Sequence, residues 1–371
     1  MNVDKCEIRV YDKDFNWLDV AVLAESVQFT RELYGVGGFE IHIHPDKSGA
    51  FELIKRGNVI VVNGDGRRSA VVRSFYMREE RNGPVFVING DTGQGFAKQR
   101  ITVPPTNAQV PNALGWDKID APAETILKHY AGRSLVYPYN DKRKIPNMIM
   151  APDLGRGLVF PWKSRYQKLS DELYNIGTYA EMGYEIYADI VNKQWAFDVV
   201  PGVDRTRGQG ENDPVWFDMG FHNISQYKYS EDYSQHRSTG YVGGAGEDEN
   251  RLVYTLGADI QGEERWEEFL DCGNVADISE LIYYGEQKLN GFKFVKNIEA
   301  DTLPRVFVFE KDYFLGDEVT VKVDRLGIEF DTRITAVKEI WERPDGYRTV
   351  VRFGGNLPNL FTVLNTKKEV S

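Results

Sequence analysis

Histidine is the residue type in this chain best suited to binding metals and to moving protons near neutral pH. The sequence has five histidines, and His42 and His44 stand two positions apart in an alternating, strand-like segment. That spacing puts both rings on one face of a strand, where they could hold a metal ion. No third ligand stands nearby, so a polar strand face opposite Ile41 and Ile43 is the simpler interpretation.

A nucleophilic catalytic centre is not indicated by the sequence. It contains no Gly-x-Ser-x-Gly motif, and neither Cys6 nor Cys272 has a catalytic context. Two cysteines also cannot form a disulfide framework or a four-thiolate zinc site, so the sequence indicates a protein that is made in a reducing compartment or is indifferent to redox conditions. We therefore predict no catalytic residue, no cofactor and no metal, and we expect a protein that is not an enzyme.

Two further patterns allow a chemical interpretation, and each has a plainer one. The glycine-rich run 90–95 follows a predicted strand, as phosphate-binding loops do, but it lacks a Gly-Lys-Ser/Thr ending. A turn that closes a β-barrel explains it better. The acidic run 263–268 could supply a carboxylate pair for glycoside hydrolysis, whereas a solvated surface accounts for the same residues.

Aromatic residues are abundant, with 20 Tyr, 20 Phe and 7 Trp. Aromatic rings in the middle of the chain could stack on sugars, and the candidates are Trp162, Tyr166, Trp195 and Trp216. Large cores and subunit interfaces are enriched in the same residue types and are the simpler explanation.

Short strands are predicted for the first hundred residues, because apolar and polar residues alternate there. A Pro-Pro pair then predicts an extended connector from residue 103 towards residue 120. The predicted strands lie around residues 6–10, 39–43, 58–62, 71–77 and 85–89, with one helical turn at 51–55.

The middle of the chain mixes predicted helices with strands, and the end returns to strands. Asp120 and Ser170 are candidate N-caps, Gly183 is a candidate end for the second helix, and residues 277–290 predict a third helix that Gly291 ends. A Gly-rich acidic stretch at 241–250 predicts an exposed loop. The other predicted strands are 184–190 and 195–200, which form a hairpin, and 215–217, 225–229, 305–309, 319–323, 333–340 and 347–353.

Composition and charge limit the classes of function. The 371 residues are 42% hydrophobic, so a large core can form, and the net charge of −11 disfavours gripping nucleic acid through its phosphates. No run approaches 18 apolar residues, and the N-terminus alternates, so neither a transmembrane helix nor a signal peptide is predicted. No internal repeat is evident in the sequence.

Taken in order, several segments resemble the tail-associated baseplate hub proteins of long-tailed phages, the siphophages, and related prophage tail proteins. The strongest single match lies at 311–321, where Lys-Asp-Tyr-Phe-Leu-Gly-Asp-Glu-Val-Thr-Val stands. One departure is the turn Gly90-Asp91-Thr92-Gly93, where such proteins often have a Gly-Arg-Asp sequence. The other matching segments are 87–91, 96–104, 123–127, 201–206, 243–247, 333–337 and 352–354.

The resemblance implies an α+β, mainly β fold with two small β-barrel domains of tail-tube type and an α+β middle domain. We expect an N-terminal barrel at 1–105, which strands from 205–260 could complete, and an α+β domain at 106–200. A β- and loop-rich connecting region at 201–275 and a helix plus β-barrel at 276–371 would follow. In this picture Asp317 and Glu318 are either channel or rim groups or a plain turn cap.

The resemblance also implies a structural function. Three copies would form a homotrimeric ring that joins the tail tube to the tail tip and bounds the DNA channel, with roles in host attachment and DNA ejection. Expected partners are the tail-tube or distal tail protein and a spike or fibre protein, with DNA as a passing cargo and no membrane-spanning contact. The protein would assemble in the host bacterial cytoplasm and reside in the virion baseplate.

Two other classes of function stay open at this point. The first is a tail-tip peptidoglycan hydrolase, although the last predicted strands come so close to Ser371 that we expect no room for a lytic domain. The second is a module that binds saccharides or receptors of the host wall through the middle aromatic residues. Buried tryptophans would argue against the second alternative.

Overall fold

The computed structural model describes residues 6–81, 83–105, 115–273, 275–304, 306–342 and 346–355. The fold is mainly β, as predicted. Among these residues, thirteen strands belong to one long sheet, and the other strands form one two-stranded and two three-stranded sheets. The strand pairing closes none of these sheets into a barrel within the described ranges. In those ranges, no helix has the length and apolar character needed to cross a membrane.

The N-terminal strands form because apolar residues alternate, as the sequence predicts. Phe39, Ile41 and Ile43 point into a core with Ile8 and Val10, and all five are buried. The strands are β1 (Ile8–Tyr11), β2 (Trp17–Ala21), β3 (Ser26–Glu32), β4 (Gly38–Ile43), β5 (Val59–Val62), β6 (Ser69–Glu80) and β7 (Gly83–Thr92), with a short helix α1 (Ala50–Leu53).

The middle region packs two helices against small sheets around a separate core. The predicted hairpin is confirmed, since β11 and β12 pair antiparallel. The elements are β8 (Asp117–Pro122), α2 (Ala123–Ala131), β9 (Met148–Met150), β10 (Val159–Ser164), α3 (Leu169–Ala180), β11 (Gly183–Asp189) and β12 (Gln194–Val200).

The two helices begin and end at other residues than predicted. Asp120 lies within β8 and Pro122 is the N-cap of α2, because the backbone stays extended up to the proline. Lys168, not Ser170, is the N-cap of α3. That helix ends at Glu181 in the left-handed conformation (φ 53°), so Gly183 is free to start β11.

A buried ion network stabilises α2. The Glu124 carboxylate is fully buried and accepts hydrogen bonds from Lys128 Nζ at 2.7 Å and from Arg156 Nε at 2.8 Å. Burial alone would raise its pKa, but the bonds from Arg156 and Lys128 outweigh burial and lower the pKa to about 2.

We expect the unfolding free energy of the Glu124→Gln variant to depend less on pH, between pH 5 and pH 2, than that of the wild type. In the wild type, the stabilisation from the ionised carboxylate is complete above the unfolded pKa of 4.5 and is lost as the pH falls through about 2. The difference in unfolding free energy between wild type and variant should therefore shrink between pH 5 and pH 2, as measured by urea titration. Asp213→Asn, at an exposed carboxylate, is the control. Parallel loss of stability in wild type and Glu124→Gln would contradict this assignment.

The C-terminal strands surround a third core, which includes Phe217, Tyr313 and Phe353. Here β13 pairs with β19, and β14 pairs with β18. Both strands between residues 201 and 232 therefore join strands of the C-terminal part of the chain. The elements are β13 (Trp216–Phe217), β14 (Ile224–Asp232), β15 (Thr239–Gly243), β16 (Val253–Leu256), β17 (Glu267–Asp271), α4 (Ile278–Asn290), β18 (Val295–Thr302), β19 (Glu318–Val323), β20 (Ile328–Glu342) and β21 (Gly346–Gly354).

Residues 233–294, called the insertion below, form a small unit between β14 and β18. It consists of β15, β16, β17 and α4, which have their own apolar core. The helix α4 was predicted correctly, since Asp277 caps it by accepting from Glu280 N at 2.9 Å and Gly291 follows its last residue.

Two of the segment predictions are wrong, and a third concerns residues that the structure describes only in part. The first three residues of the predicted loop 241–250 belong to β15, whose Val242 is fully buried against α4. The described residues of 305–309 form a turn and one isolated bridge to Tyr313 instead of a strand, because Phe307 and Phe309 pack against the core that contains Tyr313. The connector predicted after residue 103 is described only to residue 105 and from residue 115.

Candidate functional site

The long sheet contains the same four-strand arrangement twice. Its order runs β14-β18-β21-β20-β3-β4-β7-β6 before continuing to β5, β1 and β2. We call β3, β4, β7 and β6 the N-terminal unit and β14, β18, β21 and β20 the C-terminal unit. Within each unit every neighbouring pair is antiparallel.

The registers of the two units match residue by residue. Each has a long hairpin whose first strand carries one bulge, between Val72 and Ser74 in β6 and between Ile334 and Ala336 in β20. We aligned the two units at their bulges and then followed the cross-strand residue pairs from strand to strand. Six residues of β3 then occupy positions equivalent to six residues of β14. The equivalences are Ser26 with Gln226, Val27 with Tyr227, Gln28 with Lys228, Phe29 with Tyr229, Thr30 with Ser230 and Arg31 with Glu231.

The two units join inside the chain through β3 and β20. These strands pair antiparallel from Ala336 opposite Glu32 to Glu342 opposite Ser26. Trp341 of β20 completes the N-terminal core. The last strand of one unit therefore meets the first strand of the other, and the sheet continues without a gap.

A buried ion network stabilises this joint. Glu339 is 1% exposed and accepts from Arg68 Nε at 2.8 Å and from Tyr347 Oη at 3.0 Å, while Arg31 lies 3.4 Å away. Glu310 bonds to the same two arginines. Burial alone would raise the pKa of Glu310, but Arg31 and Arg68 outweigh burial and lower it.

Two strand edges of the repeated units are left without a partner among the described residues. They are residues 74–80 of β6, which we call the β6 edge, and β14, which we call the β14 edge. Phe75, Tyr76 and Met77 on the β6 edge are 46%, 52% and 56% exposed. Unpaired edges with exposed apolar side chains are typical sites of strand addition.

One face of the joined units is apolar and the other is polar. The apolar face packs on the two cores. The strand registers show which side chains lie on the polar face. More of these side chains are acidic than basic. The acidic ones are Glu32, Glu40, Glu80, Asp91, Asp232, Glu299, Asp301 and Glu342, and the basic ones are Arg78, Lys228, Lys338, Arg348 and Arg352.

The two candidate metal ligands lie at the polar face but hold separate partners. His42 Nε2 is 2.9 Å from Glu40 Oε1, and His44 Nδ1 is 3.4 Å from Asp46 Oδ2. No group of three or more His, Cys, Asp or Glu side chains converges in the described part of the chain. The structure therefore brings together no third ligand from those residues.

The glycine-rich run and the acidic run have structural partners. A Cβ at Gly93 would lie 2.0 Å from the Ile186 carbonyl oxygen, so glycine permits close packing of this turn on the middle region. In the acidic run, Glu267 bonds to Arg265 at 2.6 Å and Glu268 to Arg237 at 3.0 Å.

Of the other candidates, three are buried, whereas Trp216 and Glu318 are partly exposed and Tyr166 is 42% exposed. Trp162 and Trp195 are 6% and 2% exposed, which argues against their stacking on a sugar. Asp317 is buried and accepts from Val203 N, Phe314 N and Arg205 Nε, each at 2.9 Å, so it acts as a turn cap. Glu318 begins β19, and burial raises its pKa.

The sequence interpretation missed the β6 edge as a site. It predicted a strand at 71–77 but attached no meaning to the unbroken run Phe75-Tyr76-Met77. In a strand with one buried face, such a run puts apolar side chains on both faces, including the face exposed to solvent. This loss of alternation was the signal in the sequence that could have indicated a contact site.

Comparison with known sequences gives one family. The sequence model of the family described as "Siphovirus ReqiPepy6 Gp37-like protein" matches residues 7–355. A search of curated proteins found no match.

Three solved structures that share the overall fold are tail proteins. The 43 kDa tail protein of prophage MuSo2 from Shewanella oneidensis has a TM-score of 0.56 and 13% identity, and the alignment covers 94% of this chain and 98% of that one. A tail protein from Neisseria meningitidis has a TM-score of 0.53 and 12% identity, and the alignment covers 95% of this chain and 96% of that one. A prophage tail protein from Listeria monocytogenes has a TM-score of 0.53 and 10% identity, and the alignment covers 98% of this chain and 99% of that one. At these identities the likeness shows a shared fold.

Proposed function

Because the chain belongs to the Siphovirus ReqiPepy6 Gp37-like family of phage tail proteins, we propose that it is a structural baseplate hub protein. Three copies form a closed ring that joins the tail tube to the tail tip and bounds the DNA channel. The two four-strand units correspond to the two barrel domains expected from the sequence, and the protein has no catalytic role.

The observation that carries this proposal is the joint between β3 and β20. It demonstrates how the last strand of one unit pairs with the first strand of the next. The β6 edge is a last strand and the β14 edge is a first strand, and both are open. Repeating the internal joint between copies would satisfy both edges, and a head-to-tail contact that repeats by rotation closes into a ring.

The equivalences define the register of this contact. Met77 corresponds to Glu339 and Tyr229 to Phe29, which face each other in the internal joint. Met77 of one copy therefore lies opposite Tyr229 of the next. The full set of facing pairs is Ser74 with Asp232, Phe75 with Glu231, Tyr76 with Ser230, Met77 with Tyr229, Arg78 with Lys228, Glu79 with Tyr227 and Glu80 with Gln226.

The polar face supports the role of channel wall. The cores lie on the other side of the sheet, so the polar face is the one available to line an enclosed passage. Its excess of carboxylates would repel the phosphates of passing DNA, whereas a basic wall would bind them.

The proposed ring also defines the partners. One end would contact the tail-tube or distal tail protein and the other a spike or fibre protein, with functions in host attachment and DNA ejection. The copies would assemble in the host cytoplasm and remain in the virion baseplate.

We expect the variant Met77→Cys with Tyr229→Cys to cross-link into covalent trimers. Facing residues of antiparallel strands have Cα atoms about 4.5–5.5 Å apart, within the range of a disulfide. The two positions lie at opposite ends of eight strands, roughly 34 Å apart along the sheet, so a bond between them must join different copies. Non-reducing gels should give a band of three copies as the upper limit.

Met77→Cys with Ser230→Cys is the matched control. Neighbouring residues on a strand point to opposite faces, so this pair should not form a disulfide. A trimeric mass in solution without cross-linking would show that the register is wrong. A monomer at high concentration would contradict the hub proposal itself.

A further inference from the structure

The charge of this chain is distributed unevenly. The insertion carries twelve acidic and five basic side chains, a net charge of −7, although it is only 62 residues long. Residues 98–168 carry the reverse, twelve basic and five acidic side chains, or +7. Two regions of one acidic chain therefore have opposite charges of the same size.

Part of the positive charge lines one cleft. This basic cleft has a volume of about 340 Å³ and is lined by Lys98, Gln99, Arg100, Ile101, Lys142, Arg143 and Lys168. Arg100 Nε donates to the Arg143 carbonyl at 2.6 Å, and Arg143 donates to the Ile101 carbonyl. None of the described residues that line the cleft is a carboxylate.

Four of the five cations of the basic cleft lack an acidic partner among the described residues. Among the described residues, Lys98 forms an ion pair with Asp91, but Arg100, Lys142, Arg143 and Lys168 form none. Burial lowers the pKa of Arg100, and burial together with the nearby Arg100 lowers that of Arg143. An anionic group in the cleft would relieve this repulsion.

In the proposed ring, the insertion emerges beside the cleft of the next copy. It leaves the sheet at Asp232 and returns at Val295, and Asp232 faces Ser74 of the neighbour in the register derived above. In that neighbour Arg73, next to Ser74, pairs with Asp91 at 3.3 Å, and Lys98 pairs with the same carboxylate at 2.8 Å.

Two carboxylates near the base of the insertion are available for the cleft. Glu263 and Glu264 are exposed, and their side chains form no ion pair among the described residues. Ser238 Oγ donates to the Glu264 carbonyl at 2.7 Å, which holds them close to the point where the insertion starts. Glu247, Asp248 and Glu249 lie beyond the far end of β15.

We propose that the basic cleft of one copy receives Glu263 and Glu264 of the neighbouring copy. This inference rests on the proposed ring and adds a second contact between copies. The volume of the cleft suits a few side chains, and Arg100, Lys142, Arg143 and Lys168 supply the charge that two carboxylates need. The contact is electrostatic, so salt weakens it and either partner can be reversed by mutation.

A charge swap on the full-length chain tests the proposal. We expect Lys142→Glu with Lys168→Glu, and separately Glu263→Lys with Glu264→Lys, each to raise the dissociation constant of the trimer roughly tenfold or more, as measured by analytical ultracentrifugation. Combining all four changes should restore association. These side chains are exposed, so the monomer should keep its circular dichroism spectrum and thermal midpoint.

Asp248→Lys with Glu249→Lys is the matched control, because it makes the same change of net charge at the far end of the insertion. It should leave the trimer unchanged. A stable trimer in every variant would overturn this inference and leave the ring intact, whereas a monomeric wild type would overturn both. If the two lysine changes instead abolished binding of inorganic phosphate or of a DNA oligonucleotide and left the trimer unaffected, the cleft would have another occupant.

Discussion

Met77→Glu is expected to convert the proposed trimer into a folded monomer. In the register derived above, Met77 faces Tyr229 of the next copy, with Glu231 diagonally adjacent. The new carboxylate would be buried in the contact beside a like charge, at a cost of about 2 kcal/mol or more at each contact. A ring of three copies contains three such contacts, so the mass in solution at micromolar concentration should fall to that of one chain.

The monomer itself should tolerate this change. Met77 is more than half exposed, and substitutions of exposed side chains usually alter stability by no more than about 0.5 kcal/mol. Val191→Glu, at a residue 90% exposed in the middle region, is the control that should remain trimeric. Adding Tyr229→Lys to Met77→Glu puts opposite charges face to face and should restore part of the association. A Met77→Glu protein that stays trimeric would show that the β6 edge is not the contact.

The largest loss of stability is expected from Glu339→Ala. The change leaves Arg31 and Arg68 buried at the joint between the two units with fewer carboxylates to neutralise them, and it removes the acceptor of Tyr347. Breaking a buried ion network by removing one partner costs about 3–5 kcal/mol. Urea unfolding followed by tryptophan fluorescence should report this loss, because Trp341 lies at the same joint.

A second glutamate on the same strand provides the comparison. Glu329 is 43% exposed at its side chain and forms one ion pair with Arg207 at 3.2 Å. Glu329→Ala should therefore cost less than about 1 kcal/mol. If the two alanine variants unfold at the same urea concentration, the network at Glu339 does not stabilise the joint as described.

Local patterns predicted local structure well. In α4, a capping aspartate, the apolar residues of one face and a terminal glycine all agree, and the helix forms where they place it. In β4, alternation alone indicated which side chains are buried. The strand β15 was missed because three of its five residues are Thr or Gly, and packing on α4 decides its conformation.

The candidate site depends on contacts that no local pattern encodes. The pairing of β3 with β20 joins residues about 300 positions apart, and Glu339 acquires its partners only through that pairing. The repeat of the two units is equally hidden. Phe29 corresponds to Tyr229 and Arg31 to Glu231, so backbone pairing is kept while side-chain chemistry is not. In the sequence, the only sign of the proposed contact between copies is the apolar run at residues 75–77, which the structure leaves exposed.

The two long hairpins have a consequence for how the proposed ring would fit its neighbours. Their closing ends, at Glu80 and Gly83 and at Glu342 and Gly346, lie at the same end of the sheet, whereas the middle region and the insertion leave from the other. One rim would then present six nearly equal hairpins, and the opposite rim three identical lobes. A single gene product would thereby act as an adapter, matching a partner of sixfold symmetry on one side and a partner of threefold symmetry on the other.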